Sequence, residues 1–461
     1  MALKVNDISP QVEAMSAPWP AVDALLGGTD AMRKAGKKLL PQHPAEEDEA
    51  YRYRLSTATL FPAYRRTLSV MAGKPFAKEI TYGDDVPQHI QSMCDDVDLQ
   101  GKNLHSFAAS VFYEALAYGI CGILVDMPVR PNDLIPSRES ESQAGFRPYM
   151  RHVKHGDILG WREELVDGVP QLSQLRIRDV VQEPDGEYGT KISERVRVLR
   201  PGSWELWQAN DQGQHELIDA GINSLREIPF APVYGRQTAF MQGVSPLNDM
   251  AYLNIKHWQS QSDQDNILRV ARVPILAVSG LHDDDDFKLL IGSGVATRLP
   301  DGGGMQYIEH SGAAISAGQA ALDALESQMI QTGAELLVKQ PGQRSATESS
   351  NDAEANKSEL QSIVENFEDA LDMALQFMAG YMGGDEGGHV SLFKDYAAAT
   401  LSDASAQLIL SMQQSGIITK TTAIREQQRR GMLAPDIDPA KEQEAVDAEG
   451  PALGRVSDDG E

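Results

Sequence analysis

Apolar residues in this chain follow two rhythms, a three-and-four spacing over long runs and an alternation over shorter ones. Between Leu104 and Tyr118 the helical rhythm puts Phe107, Val111, Ala115 and Tyr118 on one face, and Gly119 suits the left-handed cap that ends such a helix. The stretch ICGILVD that follows is almost wholly apolar and reads as a buried strand. Alternation then takes over in RPYMRHV, ILGWREEL, VPQLSQLRIRDVV, SERVRVLR and SWELWQA, which are divided by DG, PDG, PG and NDQG turns. Hairpins packed against helices make this an α+β domain, with Trp161, Trp204 and Trp207 as core or sheet-face residues.

Upstream, residues 1–45 carry Pro10, Pro18, Pro20, Gly27, Gly28, Pro41 and Pro44 between short amphipathic pieces, a pattern that suggests a peripheral arm. Residues 46–70 have helical spacing with a bend at Pro62, and Arg52, Arg54, Arg65 and Arg66 read as a solvated or interfacial helix face.

A much longer helical run starts at Ser245. That residue can accept a hydrogen bond from a free N–H of the first turn, Pro246 is pre-set for the first position, and Asp249 suits the positive end of the dipole. No Gly or Pro follows until Pro274, so 245–272 reads as one helix, roughly 40 Å long. Its two ends are apolar, at Leu247, Met250, Leu253 and Ile255 and again at Ile267, Leu268 and Val270. The middle, 257–266, is polar on nearly every side apart from Trp258, so the helix either bridges solvent or is covered by neighbouring chains.

After it, 274–279 reads as a strand and 283–294 as a short helix with an acidic first turn. Residues 295–299 and 305–309 form a strand pair around the turn PDGGG. The aspartates 283–286 lack the alternation, central Gly and terminal Glu of a calcium loop. A second helix covers 315–338 with Leu322, Leu325, Met329, Ala334 and Leu337 near one face. It is broken by the stretch from Lys339 to Arg344. Ser345 with Glu348 forms a capping-box pattern for a third helix, whose face carries Leu360, Ile363, Val364, Phe367, Leu371, Ala374 and Met378, and Gly383 and Gly384 end it. Residues 389–393 then read as a short strand, and 402–414 and 419–430 as helices.

Charge changes the picture more than composition does. The chain has 67 acidic and 41 basic residues, a net −26, and no basic stripe of the kind that grips phosphates. From Ala434 onward there are nine acidic and two basic residues with few apolar ones, so disorder is expected there. Cys94 and Cys121 have no metal spacing and read as buried thiols. His152 and His155 have no third ligand at suitable spacing, so no metal site is expected. The N-terminus has no apolar stretch of a secretory signal, and no window has the roughly 18 apolar residues of a membrane-spanning helix.

Walker A, GxSxG, HExxH, CxxC and dinucleotide patterns are all missing, and Gly302–Gly304 lack the Lys and helix of a phosphate loop. No catalytic residue and no cofactor are assigned.

Four phrases give the chain a likeness: YLNIKHWQSQSDQDNILRVARVPIL at 252–276, GICGILVDMP at 119–128, RPYM at 147–150 and SATESSNDAEANKSEL at 345–360. In wording and order they resemble tailed-bacteriophage portal proteins, in particular a subgroup catalogued as a domain of unknown function, over roughly residues 45 to 440. The resemblance implies an N-terminal arm and α/β wing in 1–244, a stem helix at 245–272, a small α/β clip at 273–312 and a second stem helix at 313–338. A tunnel loop at 339–345, a spine helix at 346–384, a wing return strand at 385–400, crown helices at 401–434 and an acidic tail at 435–461 follow.

It further implies a homo-oligomeric ring of twelve subunits at the capsid portal vertex of the virion, assembled in the host cytoplasm. Through it double-stranded DNA is packaged, retained and ejected, with no membrane involved. The implied protein partners are the terminase large subunit, the major capsid protein, the scaffolding protein and the tail adaptor protein. Lys339, Gln343 and Arg344 would touch DNA, and Pro341 and Gly342 would let the loop hinge. The residues alone leave two alternatives open, an enzyme with an unrecognised site and another structural head or tail protein.

Overall fold

The computed structural model describes residues 3–128, 146–210, 212–272, 275–279, 304–308, 313–335, 358–384, 386–394 and 419–429, with positions 413, 438 and 441. It is mixed helix and sheet, α+β as expected. The chain divides into two compact units, one of residues 1–76 and 80–391 and one of 77–79 and 392–461.

The N-terminal stretch departs from the sequence reading. Pro10, Pro18 and Pro20 lie at the starts of helices instead of breaking the chain into an arm. Pro10 opens α1 (Pro10–Ser16), where Ser9 Oγ accepts from the Val12 N–H at 3.4 Å, and Pro20 sits in the first turn of α2 (Trp19–Ala35). Helix α2 kinks at Gly28, whose φ of 77° suits a residue without a Cβ. Val12 and Trp19 belong to the main hydrophobic core, and Trp19 Nε1 donates to the Tyr118 carbonyl at 3.0 Å. The segment is part of the body.

The bend expected at Pro62 is a full break between α3 (Asp48–Thr57) and α4 (Ala63–Gly73). Strand β1 (Thr81–Tyr82) and α5 (Gln88–Met93) lead to α6 (Leu104–Tyr118), where Asn103 Oδ1 accepts from Ser106 N at 2.8 Å and Gly119 ends the helix at φ 91°. A Cβ at Gly119 would press on the backbone of Val244 and Ser245, so the cap is also a point of close chain approach. Strand β2 (Ile120–Asp126) is buried over its first six residues, as its unbroken apolar run requires. It lies between β3 (Tyr149–Val153) and β9 (Phe230–Tyr234), with Gly122 opposite both Val153 and Pro232.

The alternating segments build a five-stranded antiparallel meander of β4 (Ile158–Val166), β5 (Val169–Asp185), β6 (Gly189–Arg200), β7 (Ser203–Ala209) and β8 (His215–Ile222). Leu175, Ile177 and Leu199 from one face join Ile120 and Leu124 of the smaller sheet in the core. Trp161 and Trp204 pack against that cluster, while Trp207 lies on a smaller one. Arg197 ties the two sheets by pairing with Asp126 at the end of β2 and with Asp179 of β5 at 3.4 Å. A two-stranded ribbon, β10 (Arg236–Ala239) with β11 (Gln242–Val244), delivers the chain to the long helix α7 (Asn248–Ala271).

The helix starts three residues later than read, and Ser245 acts just ahead of it: its Oγ accepts from Leu247 N at 3.1 Å and donates to the Leu116 carbonyl at 2.6 Å. Strand β12 (Ile275–Ser279) pairs antiparallel with β13 (Gly304–Ile308), so the described part of the strand read at 305–309 has 275–279 as its partner. The expected partner, 295–299, lies outside the described residues. Helix α8 (Ala313–Glu335) then returns along α7.

The third long helix is shorter than read. Helix α9 (Glu359–Tyr381) starts at Ser358, which is extended (φ −75°, ψ 157°) and forms a capping box with Gln361. A continuous helix over 346–384 is therefore ruled out, because Ser358 and Gln361 carry the same Ser-x-x-Glu/Gln signature as Ser345 and Glu348 and it is used at the later site. Its predicted face holds: Leu360, Ile363, Val364, Phe367, Leu371, Ala374 and Met378 are buried, and the helix packs on β9 and β2. Strand β14 (Val390–Ser391) pairs with β1, the rejoining expected at 389–393. In the second unit, α10 (Lys420–Arg429) is capped by Thr419, whose Oγ1 accepts from Thr422 N at 3.1 Å. The helix read at 402–414 falls outside the described residues, as does the acidic tail apart from Asp438 and Lys441.

Candidate functional site

Most polar groups in the middle of α7 find partners inside its own chain, although His257 Nδ1, Trp258 Nε1 and Ser262 Oγ are buried without one among the described residues. Asn254, His257, Ser262 and Gln264 are all buried, and Trp258 is fully so. Buried amides and imidazoles cost free energy unless hydrogen-bonded, so their partners decide whether the helix is tolerated here. Asn254 donates to the Phe61 carbonyl and accepts from Tyr64 N, each at 2.9 Å, closing off the break between α3 and α4. Gln259 Nε2 donates to the Leu39 carbonyl at 2.9 Å, and Asp263 meets His43 at 3.2 Å and Arg54 at 3.5 Å.

Helix α8 covers a further side. Gln264 Nε2 donates to the Ile315 carbonyl at 2.9 Å, His257 Nε2 lies 3.3 Å from Glu326, and Leu322, Leu325 and Met329 fill the seam. Gly318 faces Gln264 so closely that a Cβ there would collide with its amide oxygen. The sequence reading offered solvent or neighbouring chains as cover for this stretch; the structure supplies residues 39–64 and α8 instead. The spacing of Asn254, Trp258 and Ser262, one every turn, was the signal of a buried polar row.

What remains open on the pair is distinct. Helix α8 is buried only along one narrow strip, and Ala317, Ala320, Ala321, Ala324, Ser327, Gln328 and Gln331 face solvent together with Ile330, which is 73% exposed. Toward the C-terminal end of α7 a cavity of about 370 Å³ opens against α3, lined by Tyr53, Arg54, Ser262, Asp265, Arg269 and Arg272. Arg269 lies over the Tyr53 ring at 4.6 Å, and Ser262 Oγ is buried without a hydrogen-bond partner.

Arg54 at the cavity's edge is buried and donates to both oxygens of Glu46, at 2.7 and 2.8 Å. Those bonds hold the Glu46 carboxyl below its ordinary pKa and raise that of Arg54. The pair locks α3 against the loop before it.

Lys339, Pro341, Gly342, Gln343 and Arg344, the residues proposed to meet DNA, lie outside the described residues, between α8 and Ser358. Of His152 and His155, His155 pairs with a carboxylate, while His152 is buried with its Nε2 lacking a hydrogen-bond partner among the described residues. His155 Nδ1 is 2.6 Å from Glu114 and its ring stacks on Tyr118 at 3.4 Å. Burial works against the Glu114 charge, but His155 and His152 hold its pKa below the ordinary value, while burial pushes His152 down to about 4. Among the described residues no three His, Cys, Asp or Glu side chains are arranged to hold a metal ion, and no helix is long and apolar enough to cross a membrane. Cys94 and Cys121 are buried and unpaired.

Residues 246–382 match a family model described as a domain of unknown function (DUF4055). The match spans less than a third of the chain, from the start of α7 to the end of α9. No curated protein matches. Among solved structures the chain is similar to one from the neck of a native GTA particle computed with C12 symmetry, at 12% identity and a TM-score of 0.40, covering 80% of this chain and 89% of that one. A second, from the virion of a native gene transfer agent (GTA) particle, gives 11% identity and a TM-score of 0.40 over 90% of this chain and 99% of that one. A third, from the neck of an empty GTA particle computed with C6 symmetry, gives 12% identity and 0.39 over 78% and 88%.

Proposed function

We propose that this chain is the subunit of a portal ring, a DNA channel at one capsid vertex that docks the packaging motor and afterwards the tail adaptor. The observation that carries the reading is the outer surface of α8. A 23-residue helix held along one strip, with short side chains and an exposed Ile330 on its other sides, is suited to close packing by a neighbouring copy. Repeated head to tail around an axis, such contacts close into a ring. The order helix, strand pair, helix, helix over 248–381 agrees with stem, clip, stem and spine in the plan that the sequence resemblance implied.

In this reading α7 and α8 surround the narrow part of the channel, and the net charge of −26 keeps phosphates from adhering to its wall. Double-stranded DNA passes through, and the loop at 339–345 supplies Lys339 and Arg344 as rings of positive charge. The terminase large subunit hydrolyses ATP on the ring's behalf, and the major capsid and scaffolding proteins surround the ring during assembly.

The β12–β13 end is the docking surface for motor and adaptor. Replacing residues 281–304 by a short linker is expected to leave subunit assembly intact and to abolish motor docking in a pull-down with the terminase large subunit. Undiminished docking by the shortened chain would remove this end from the mechanism.

A further inference from the structure

One groove in this acidic molecule is basic. A cavity of about 470 Å³ lies between the N-terminal segment and a face of the five-stranded sheet, and Lys4, Arg162, Arg176, Arg200, Glu205 and Trp207 line it. Strand register explains the grouping: Arg176 of β5 is opposite Val198 of β6, which is opposite Glu205 of β7, so these three share one face, and Trp207 follows two residues on.

Only one acidic group lines the groove, and it is occupied. Glu205 accepts from Arg200 at 2.6 Å and from Trp207 Nε1 at 3.0 Å. Asp7, the nearest acid on the N-terminal segment, accepts from the Lys4 backbone at 2.7 Å. Arg176 is half-buried, yet its Nη1 meets only carbonyls, those of Lys4, Val5 and Asp7 at 3.0, 2.8 and 2.8 Å. Burial pulls its pKa below the ordinary value, Asp7 opposes that pull, and Arg162 adds to it by like-charge repulsion. Lys4 and Arg162 are exposed and have no ion pair among the described residues. Two neighbouring guanidiniums and an ammonium with no free carboxylate among them form a constellation that an oxyanion completes, since guanidinium presents a fork of donors matched to phosphate oxygens. The cavity is larger than an inorganic ion needs and falls in the range of small-molecule sites. Beyond the cations its wall is mixed: Gln11 and Gln174 add neutral hydrogen-bonding groups, and Val198 and the indole of Trp207 give an apolar patch.

We propose that this groove binds a small organic oxyanion of the phosphate class, its oxygens held by Lys4, Arg162 and Arg176 and its body against Trp207. The inference does not depend on the ring.

The test titrates the full-length chain with phenyl phosphate at constant ionic strength, followed by calorimetry and tryptophan fluorescence. The comparison is the double variant Lys4→Gln with Arg162→Gln, whose exposed positions leave the fold intact. Saturable one-to-one binding, weakened about tenfold or more in the double variant, is the expected result. No saturable binding up to about 10 mM, or equal affinity in the double variant, would overturn the proposal. Inorganic phosphate is expected to bind through the same residues but more weakly, and phenyl phosphate binding no tighter than it would exclude Trp207 from the site.

Discussion

Asn254 holds the backbone of Tyr64 from the middle of another helix: its side-chain oxygen accepts the Tyr64 N–H at 2.9 Å, while its amide reaches the Phe61 carbonyl at the same distance. Both backbone groups belong to the break at Pro62, where no helix can satisfy them. One side chain therefore fixes α7 against the start of α4. Asn254→Ala leaves the buried Tyr64 N–H unpaired, while the Phe61 carbonyl keeps the Ala63 N–H at 2.9 Å, and a loss of about 1–3 kcal/mol is expected from the usual cost of one such group. Chemical denaturation checks it, and a variant within about 0.5 kcal/mol of the parent would mean that water replaces the amide.

A pH dependence follows from Glu46 and Arg54. The Glu46 carboxyl is held below its ordinary pKa by Arg54, so its contribution is fully present above the unfolded value of about 4.3 and is lost as pH falls through the lower folded value. Glu46→Gln is expected to lose stability at pH 7 relative to the parent, with the gap narrowing below about pH 4. Thermal midpoints across pH 3–7 check the sign; a gap that widens on acidification would contradict it.

Gly318 sets how closely α7 and α8 approach, because a Cβ there would collide with the Gln264 side chain that bonds to the Ile315 carbonyl. Gly318→Val is expected to displace Gln264 and cost about 1–3 kcal/mol. Amide hydrogen exchange should speed up along α8 while α6 and β2 stay protected.

The packing units were legible wherever one face was simply apolar. Helix α6 came out with its start, its end and its Gly119 cap because Leu104, Phe107, Val111 and Ala115 are buried at regular spacing and nothing long-range competes. Four strands of the meander, β4 to β7, were readable because the turns between them carried their own chemistry, whereas the edge strand β8 was not read. Less visible was anything settled by a distant partner. Strand β9 inserts beside β2 from more than a hundred residues away, and β13 pairs with β12 across a long insertion. The prolines at 10, 18 and 20 looked like breakers because the apolar residues they introduce, Val12 and Trp19, join a core whose other members, Ile120, Ile158, Leu175 and Phe230 among them, lie more than a hundred residues along the chain. The polar row on α7 misled for a related reason. Its acceptors are the carbonyls of Leu39, Phe61 and Ile315, and a backbone carbonyl has no sequence signature.

Residues 339–345, proposed above to line the channel, give a prediction that separates assembly from passage. Lys339→Ala with Arg344→Ala is expected to leave assembly unchanged and to reduce the length of packaged DNA or its retention, since repeated positive charge there would contact phosphates weakly and in a salt-sensitive way. Packaging assays with the double variant read this directly. Full-length, fully retained DNA would take both residues out of the mechanism.

The central claim is that copies of this chain pack on one another through the free surface of α8 and close into a ring. Negative-stain imaging of the purified full-length chain at high protein concentration, paired with native mass measurement, tests it most directly. The expected result is a ring with a central hole, as closed head-to-tail contacts require, and a mass of about twelve subunits, as the portal resemblance implies. Monomers or two-fold dimers alone would contradict the account.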